Sequence, residues 1–347
     1  MTAGTVTNNG MTTLKDVAAL AGVSTATVSL ALSGGPVNAK TREIVKRAAK
    51  ELNYVPNKVG QMLTLGRSNT IELIILTADE YPNIVRKTSL FYYLMEGVLA
   101  VADQHNFAVR FAVKAYDDDG LVPYFSELVG SRMVDGAIII PQFARDSRYT
   151  RVLDEAGFPY VLLRSGAFGN EASFVDMGNL EGGRMIADLL LKCGAQRVAI
   201  INGPASHLDA IERERGFTNA LFDGGSALVA KVNGDFTIES GFEGMKRVAA
   251  RKLPDAVFCA NDYMAAGALR YLRSIGVRVP QDIMVVGYDN NDIATAVDPE
   301  LTTVDNRFFD LGSALMANLL TIIDRPDENI SVTVPPKLIL RHSHRAI

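Results

Sequence analysis

Small apolar residues recur at helical spacing near the amino terminus, between polar residues that suit helix starts. Thr13, with Asp16 in the following turn, predicts the start of one helix, and Ser24 predicts the start of a second. Gly22 between them permits the backbone of a tight turn. The pattern predicts a helix-turn-helix over Thr13–Leu32, although an ordinary helical hairpin inside a core has the same pattern.

A third helix is predicted from the Asn38 cap to about Leu52, with one apolar stripe formed by Ile44, Val45, Ala48, Ala49 and Leu52. The turn residues Val55-Pro56-Asn57 interrupt it. A short segment, KVGQMLTLG, then predicts a helix that is marginal alone, because it is brief and contains a glycine.

From Thr70 onward the pattern changes to short apolar runs that alternate with helical periodicity. Ile71–Leu76 is the first of these runs and predicts a buried strand. Strands that alternate with helices indicate parallel sheets covered on both faces. The strands are too many for one open sheet, so two α/β domains are expected, with a ligand cleft at the carboxyl ends of their strands.

Composition places the chain among globular proteins, with 347 residues, 48% of them hydrophobic and 21% charged. No apolar run approaches the ~20 residues of a bilayer span, and the first residues do not resemble a secretory signal. Cys193 and Cys259 lie far apart without a CxxC motif, so a reducing, cytoplasmic location is expected. Phosphate-loop, zinc-protease and nucleophile-elbow motifs are absent, so no catalytic residues, cofactor or metal are expected.

Charge is distributed unevenly along the chain. Residues 1–67 contain eight Lys and Arg against three acids, a net charge of +5, whereas the whole chain carries −4 and the remainder therefore −9. A basic head on an acidic body indicates a polyanionic partner for the head, although a solvated helix face can have the same composition.

Four stretches together resemble the LacI family of bacterial transcription repressors. They are TLKDVAALAGVSTATVSLAL (13–32), AKTREIVKRAAKELNYVPN (39–57), IERERGFTNAL (211–221) and NDYMAAGALRYLRSIGVRVPQDIMVVGYDN (261–290). The resemblance covers nearly all of residues 12–347. It implies a small all-α helix-turn-helix head, a hinge helix, and an α/β core of two subdomains with parallel sheets, similar to periplasmic sugar-binding proteins.

The implied layout begins with a disordered leader at 1–11, a DNA-binding head at 12–56 and a hinge with linker at 57–68. The effector-binding core follows at 69–347. Its first subdomain is expected at about 70–165 plus 297–325, and its second at about 166–296 plus 326–347.

The second helix of the head is expected in the major groove, where hydroxyl and methyl groups can read base edges. Leu30 departs from the family, in which Arg or Tyr is common, and so removes a guanine reader worth ~1–3 kcal/mol; a partly buried Leu30 is the alternative. The resemblance also implies that Leu63 wedges into the minor groove, unless it packs on the core. The expected DNA-binding residues are Ser24, Thr25, Ala26, Thr27, Ser29, Leu30, Lys40, Arg42, Asn57, Lys58, Gln61 and Leu63.

The resemblance places a ligand-binding arginine at Arg213 and polar ligand groups at Asn261 and Asp289. A turn-forming Asn261 and a strand-end Asp289 are the alternatives. An apolar face for a ring is expected from Phe236 and from Phe91 or Tyr92. The effector-binding residues expected on these grounds, with Arg164 added below, are Phe91, Tyr92, Arg164, Arg213, Phe236, Asn261 and Asp289.

Arg164 stands where the family usually has an acid. Together with Arg213 it predicts a cationic cleft, and hence an effector with a carboxylate or phosphate, such as a sugar acid or sugar phosphate. An Arg164 paired to a cleft acid such as Asp289 is the alternative.

The sequence therefore predicts a homodimeric repressor that binds a pseudo-palindromic operator on double-stranded DNA and is controlled by a small sugar-like or anionic sugar-derived effector. No membrane partner is expected. The alternative functions are a solute-binding protein for carbohydrate transport and an enzyme with a nucleotide-binding fold. The basic head disfavours the first of these, and the missing phosphate motifs disfavour the second.

Overall fold

The computed structural model describes residues 12–32, 35–55, 66–78, 90–116, 119–143, 148–164 and 172–346. These residues form two compact units that divide between Ser68 and Asn69. The expected leader at 1–11 and most of the expected hinge lie outside the described residues. We call the first unit the head and the second unit the core.

Three helices make up the described head: α1 (Leu14–Ala21), α2 (Thr25–Leu32) and α3 (Ala39–Glu51). The predicted caps of α2 and α3 are confirmed. The Ser24 hydroxyl accepts from the Thr27 amide at 3.1 Å, and the Asn38 amide oxygen accepts from the Thr41 amide at 2.7 Å. These bonds satisfy amides that a helix start leaves free.

At the start of α1 the Asp16 carboxylate accepts from both the backbone N–H and the hydroxyl of Thr13, at 2.8 and 2.7 Å. Gly22 has a φ of +66°, as the tight turn requires. The head core contains the small residues that the pattern predicted, including the buried Val17, Val28 and Val45. Ile44 does not belong to it, because its side chain is 42% exposed.

The first lobe of the core contains a six-stranded parallel sheet in the order β11-β5-β4-β3-β1-β2. Its strands are β1 (Thr70–Thr77), β2 (Ala108–Ala115), β3 (Gly136–Pro141), β4 (Tyr160–Arg164), β5 (Phe174–Asp176) and β11 (Ser331–Thr333). Its helices are α4 (Leu90–Gln104), α5 (Leu121–Ser131), α6 (Arg148–Glu155) and α12 (Phe308–Asp324).

β1 explains why the first sheet is covered on both faces. Its odd-numbered apolar residues, such as Leu73, pack with α4 and α12, whereas the even-numbered ones, such as Ile74, pack with α5 and α6. Successive side chains of a strand point to opposite faces, so a continuous apolar run needs a helix layer on each side.

The second lobe contains a four-stranded parallel sheet in the order β7-β6-β8-β9. Its strands are β6 (Arg197–Asn202), β7 (Ala227–Asn233), β8 (Ala256–Cys259) and β9 (Met284–Val286). Its helices are α7 (Asn179–Lys192), α8 (Leu208–Asp223), α9 (Ile238–Ala249), α10 (Asp262–Ser274) and the short α11 (Ile293–Ala296). The predicted fold class is confirmed by the parallel sheets of both lobes.

The chain passes between the lobes more than once, and two short strands lie where the sequence did not place them. β5 and β11 pair with each other in the first sheet, whereas residues 166–296 and 326–347 were expected in the second subdomain. Each strand has three residues, too few to show a periodic pattern, and their pairing joins Phe174 to Ser331. A separate antiparallel pair joins β10 (Thr303–Asp305) to β12 (Lys337–Ile339).

Three helix pairs in the core approach through glycine. A Cβ on Gly183 of α7 would lie 2.1 Å from the Arg213 carbonyl of α8, and a Cβ on Gly216 of α8 would lie 1.8 Å from the Leu180 carbonyl of α7. Gly97 and Gly312 place α4 against α12 in the same reciprocal way, as Gly241 and Gly267 do for α9 and α10. Backbone therefore touches backbone at each of these crossings.

Within the described residues, no single helix is long and apolar enough to cross a membrane. The helices α1 and α2 reach that length and apolarity only when counted together, and the chain bends by 100° between them.

Candidate DNA-binding head and effector cleft

The outward side of α2 carries the residues predicted to read DNA. Thr25 and Ala26 are exposed, Thr27 and Ser29 are half-buried, and Leu30 is 42% exposed. Val28 and Ala31 turn into the head core and fix the orientation of the helix. The Leu30 side chain is thus partly buried, as its alternative proposed, and its contact with a base stays a prediction. The helix α2 presents hydroxyl and apolar groups without a charged side chain.

The basic residues predicted to hold phosphates differ in whether they also bond to other residues of the head. Lys40 is exposed in the first turn of α3. Arg42 is half-buried and donates to the Gly35 carbonyl at 2.7 Å, so it also fastens the segment after α2. Asn57, Lys58, Gln61 and Leu63 lie outside the described residues, and their roles stay predictions.

A small cavity lies between the lobes of the core. Phe91, Gln142 and Phe308 line it from the first lobe, and Asp209 lines it from the second. The position is the one predicted from the sequence, because β3 ends at Pro141 and α8 begins beside the carboxyl end of β6. The Oε1 atom of Gln142 is buried without a hydrogen-bond partner among the described residues.

Arg213 lies on α8, like the cavity residue Asp209, and its side chain is bonded to several groups. Its Nε donates to Asn179 Oδ1 at 2.8 Å and its Nη1 to the Ala260 carbonyl at 2.6 Å, while Nη2 lies 3.0 Å from Asp289 Oδ1. The guanidinium also lies 3.9 Å from the centre of the Tyr288 ring. Because Asp289 already neutralises this buried cation, Arg213 attracts an additional anion only weakly.

Asp289 follows β9 and is buried beside Arg213. Asn306 donates to the same carboxylate oxygen at 2.9 Å. Burial raises the pKa of Asp289 to about 6, because the loss of solvation outweighs the nearby guanidinium. The acid that the sequence paired with Arg164 as an alternative thus pairs with Arg213, and the side chain of Arg164 lies outside the described residues.

Asn261 and Phe236 are used within the second lobe. The Asn261 amide accepts from the Met264 amide at 2.9 Å and donates to the Phe236 carbonyl at 3.0 Å, so it caps α10 as its turn-forming alternative proposed. The Phe236 ring packs against Gly203, where a Cβ would lie 2.2 Å from it. Neither side chain lines the cavity between the lobes.

The rotation of α4 places Phe91 and Tyr92 on different surfaces of the first lobe. Phe91 lines the cavity, whereas Tyr92 is 69% exposed and lies with Leu99 and Phe107 on another surface of the first lobe. Tyr92 does not line this cavity, and its role in effector binding stays a prediction. Consecutive helical residues point about 100° apart, so only one of the two can face the cleft.

Two residues near the cleft were missed by the sequence analysis although a signal existed. Asp209 precedes Arg213 by four positions on α8, a spacing that puts both on one helix face. His207 immediately precedes α8 and is buried between the rings of Phe143 and Phe236, at 4.9 and 5.0 Å. Phe308 and Gln142 gave no signal, because their place in the cleft depends on how the sheets pack.

Among the described residues, no group of three or more His, Cys, Asp or Glu is arranged to hold a metal ion. The cleft instead offers aromatic and amide groups, together with one carboxylate. Such a site binds by stacking and hydrogen bonds.

Comparison with known proteins agrees with this architecture. Residues 13–57 match the family model of bacterial regulatory proteins, lacI family, and residues 187–344 match that of a periplasmic binding protein-like domain. The transcriptional regulator CelR of Thermobifida fusca is 35% identical over 95% of this chain and 98% of its own. The repressor PurR of Haemophilus influenzae is 30% identical over 97% of this chain and all of its own.

Solved structures give the same result. A crystal structure of the Lac repressor dimer bound to operator and the anti-inducer ONPF matches with a TM-score of 0.83 and 28% identity, over 97% of this chain and all of that one. A CelR–cellobiose complex matches with a TM-score of 0.71 and 32% identity, over 96% and 99%.

A helix-turn-helix head joined to a two-lobed, periplasmic-binding-protein-like core defines a DNA-binding transcription regulator. The extent and identity of the CelR match make the assignment specific: the chain belongs to the LacI family. The family resemblance found in the sequence is thereby confirmed.

Proposed function

We propose that the chain is a homodimeric repressor that binds a pseudo-palindromic operator through α2, with residues 57–68 as the hinge and 69–347 as the effector-binding core. The exposed hydroxyl and methyl groups of α2 and the net charge of +5 in residues 1–67 support binding in the major groove. The Lac repressor structure is of a dimer on operator, and PurR is a repressor, which supports the same assembly here. The proposal assigns the chain no catalytic step.

The observation that carries effector control is the composition of the cavity wall. Phe91 and Phe308 belong to one lobe and Asp209 to the other, so a ligand in the cavity contacts both lobes. A ligand with different contacts in two lobe arrangements shifts the balance between them, and operator affinity changes by the same coupling free energy.

We infer that this effector is an uncharged saccharide rather than a sugar acid or sugar phosphate. The Asp209 carboxylate, whose Oδ1 already accepts from Asn179 Nδ2 at 3.0 Å, and Gln142 Oε1 are hydrogen-bond acceptors, and Gln142 Oε1 is buried without a described partner. Hydroxyl groups can donate to such acceptors, whereas a ligand carboxylate would face Asp209 at close range. Arg213 already forms an ion pair with Asp289, so it does not provide one of the two cations that the sequence predicted for the cleft. The CelR relative is known with cellobiose and two more distant relatives with ribose, which supports the class.

Operator binding is tested by selecting fragments from the source genome with the purified chain and measuring their affinity by fluorescence anisotropy at several salt concentrations. We expect site-selective binding that weakens steeply with salt. Thr25→Asp, which places a carboxylate on the outer side of α2, should abolish it, whereas Ser126→Asp on an exposed site of α5 should leave it unchanged. Equal binding by both variants would show that α2 does not read DNA.

The effector class is tested by thermal shift with cellobiose and ribose against gluconate and glucose 6-phosphate. A ligand at one hundred times its Kd stabilises by ~2.7 kcal/mol, or ~5–10 °C for a domain of this size. We expect neutral sugars to raise the melting temperature. We also expect them to change the affinity for the operator, by either weakening or strengthening its binding. Stabilisation by the two anions alone would overturn the proposed class.

A further inference from the structure

His207 occupies an unusual position at the contact between the lobes. Its ring lies between Phe143, which follows β3 of the first lobe, and Phe236, which precedes α9 of the second, with interplanar angles of 83° and 77°. The imidazole is 3% exposed, and its Nδ1 atom has no hydrogen-bond partner among the described residues. The two hydrocarbon rings that flank the imidazole offer no hydrogen-bond acceptor to a protonated ring.

The same place holds a backbone contact between the lobes. The Leu208 amide, next to His207, donates to the Gln142 carbonyl at 2.9 Å, and Gln142 is next to Phe143. The ring contact and the amide bond therefore depend on the same approach of the lobes. If the lobes separate here, Phe143 leaves His207 and water reaches the imidazole.

We propose that His207 is a proton-sensitive latch between the lobes, which holds the cleft closed while the imidazole is neutral and opens it when the imidazole is protonated. This inference rests on the proposed function only in treating the cleft as the effector site. It adds regulation by acidity to that site. Protonation changes the charge of one side chain, and this change shifts the equilibrium between the open and closed arrangements of the two lobes around a ligand.

Charged groups lie near His207 on α8 and in the segments of Phe236 and Phe143. On α8, Asp209 favours the protonated ring and Arg213 opposes it. Beside Phe236, Asp235 is engaged by the amide of Thr237 at 3.1 Å. Arg145 and Asp146, which follow Phe143 closely in the chain, lie outside the described residues. Burial outweighs Asp209 and lowers the pKa of His207 to about 4 in the closed arrangement.

The sign and size of the effect follow from linkage. A solvated imidazole titrates near 6.5, so the open arrangement binds more protons between pH 6.5 and 4, and closure is favoured above this window. With these two values the equilibrium constant for opening rises about 30-fold between pH 8 and pH 5. Asp289 also has a pKa of about 6, but it faces Arg213 and remains when His207 is replaced.

The first measurement is the titration of His207 by ¹H–¹³C NMR on the full chain without DNA or effector. The chain has four histidines, so the His207 signal is assigned by its loss in His207→Phe. We expect a midpoint at least one pH unit below the 6.5 of a solvated imidazole. A midpoint near 6.5 would overturn the proposal, because it would mean that the imidazole is solvated.

The second measurement is energy transfer between pH-insensitive dyes on Glu127→Cys in the first lobe and Asp223→Cys in the second, in a Cys193→Ser background. Labelled chain is mixed with excess unlabelled chain. Transfer should change as His207 becomes protonated, should stay constant in His207→Phe, which keeps both ring contacts, and should change as before in the matched control His105→Phe. Constant transfer across the His207 titration, or the same change in His207→Phe, would overturn the latch. Neither measurement uses DNA or a sugar, so failure here and failure of the proposed function are separate outcomes.

Discussion

Gly183→Ala tests the backbone contact on which the Arg213 cluster depends. The new methyl would lie 2.1 Å from the Arg213 carbonyl, against an ordinary contact of 3.4 Å, so α7 and α8 must separate by roughly 1.3 Å. Asn179 is on α7 and its 2.8 Å hydrogen bond to Arg213 spans this crossing, so the bond must lengthen. The substitution therefore acts on packing and on the cleft together.

The size of the effect is the balance of two terms. Overpacking against rigid backbone costs ~3 kcal/mol, at the upper end of the usual range, and alanine in place of glycine returns ~1 kcal/mol in helix propensity. The net loss of ~2 kcal/mol lowers the melting temperature of a lobe by ~4–8 °C. Gly130→Ala on α5 is the control, because a Cβ there meets nothing within 4 Å, and it should raise the melting temperature by up to ~2–4 °C. Calorimetry on the full chain measures both, and a Gly183→Ala protein as stable as the wild type would refute the close-contact argument.

Three further outcomes are expected. Asp289→Asn leaves Arg213 buried without its countercharge and should lower the free energy of unfolding by ~3–5 kcal/mol in urea denaturation. Asp282→Asn, at the exposed ion pair with Arg278, should change the free energy of unfolding little. Equal effects of the two substitutions would contradict the role of burial. Ser24→Ala removes the cap of α2 and should destabilise the head by ~1 kcal/mol, followed by circular dichroism, while Ser24→Gly should cost only a few tenths, so a larger loss for glycine would speak against capping. Leu63→Ala should weaken operator binding in anisotropy with little change in effector affinity, and unchanged DNA affinity would remove the minor-groove wedge.

The head was predictable because its determinants are local. Ser24 and Asn38 each cap a helix that begins at the next residue, and the distance from cap to bonded amide is three residues in both cases. The strand β1 was also predictable, since five of the six residues from Ile71 to Leu76 are apolar and such a short run between turn signals favours a buried strand. Elements of this kind can therefore be recognised from a few neighbouring residues in the sequence.

The cleft was less predictable because its determinants are distant in the chain. Arg213 was identified, but its partners Asn179, Ala260 and Asp289 lie 34, 47 and 76 positions away, and no spacing rule joins them. The helical pattern could not say whether Phe91 or Tyr92 faces inward, because that depends on the rotation of α4 against the sheet. Pairing of β5 with β11 is a further case, since strands of three residues become visible only when the sheet is assembled.

The repeated passage of the chain between the lobes has a consequence for cleavage. After β5 in the first sheet the chain enters the second lobe at α7, returns to the first lobe at α12, and finally comes back so that Ser343 bonds to Val285. A protease that cuts one exposed loop of the core therefore severs one connection and leaves others intact. Nicked protein should migrate as fragments in denaturant and as a single particle without it, and the two fragments of a gene divided at such a loop should reassemble when they are expressed together.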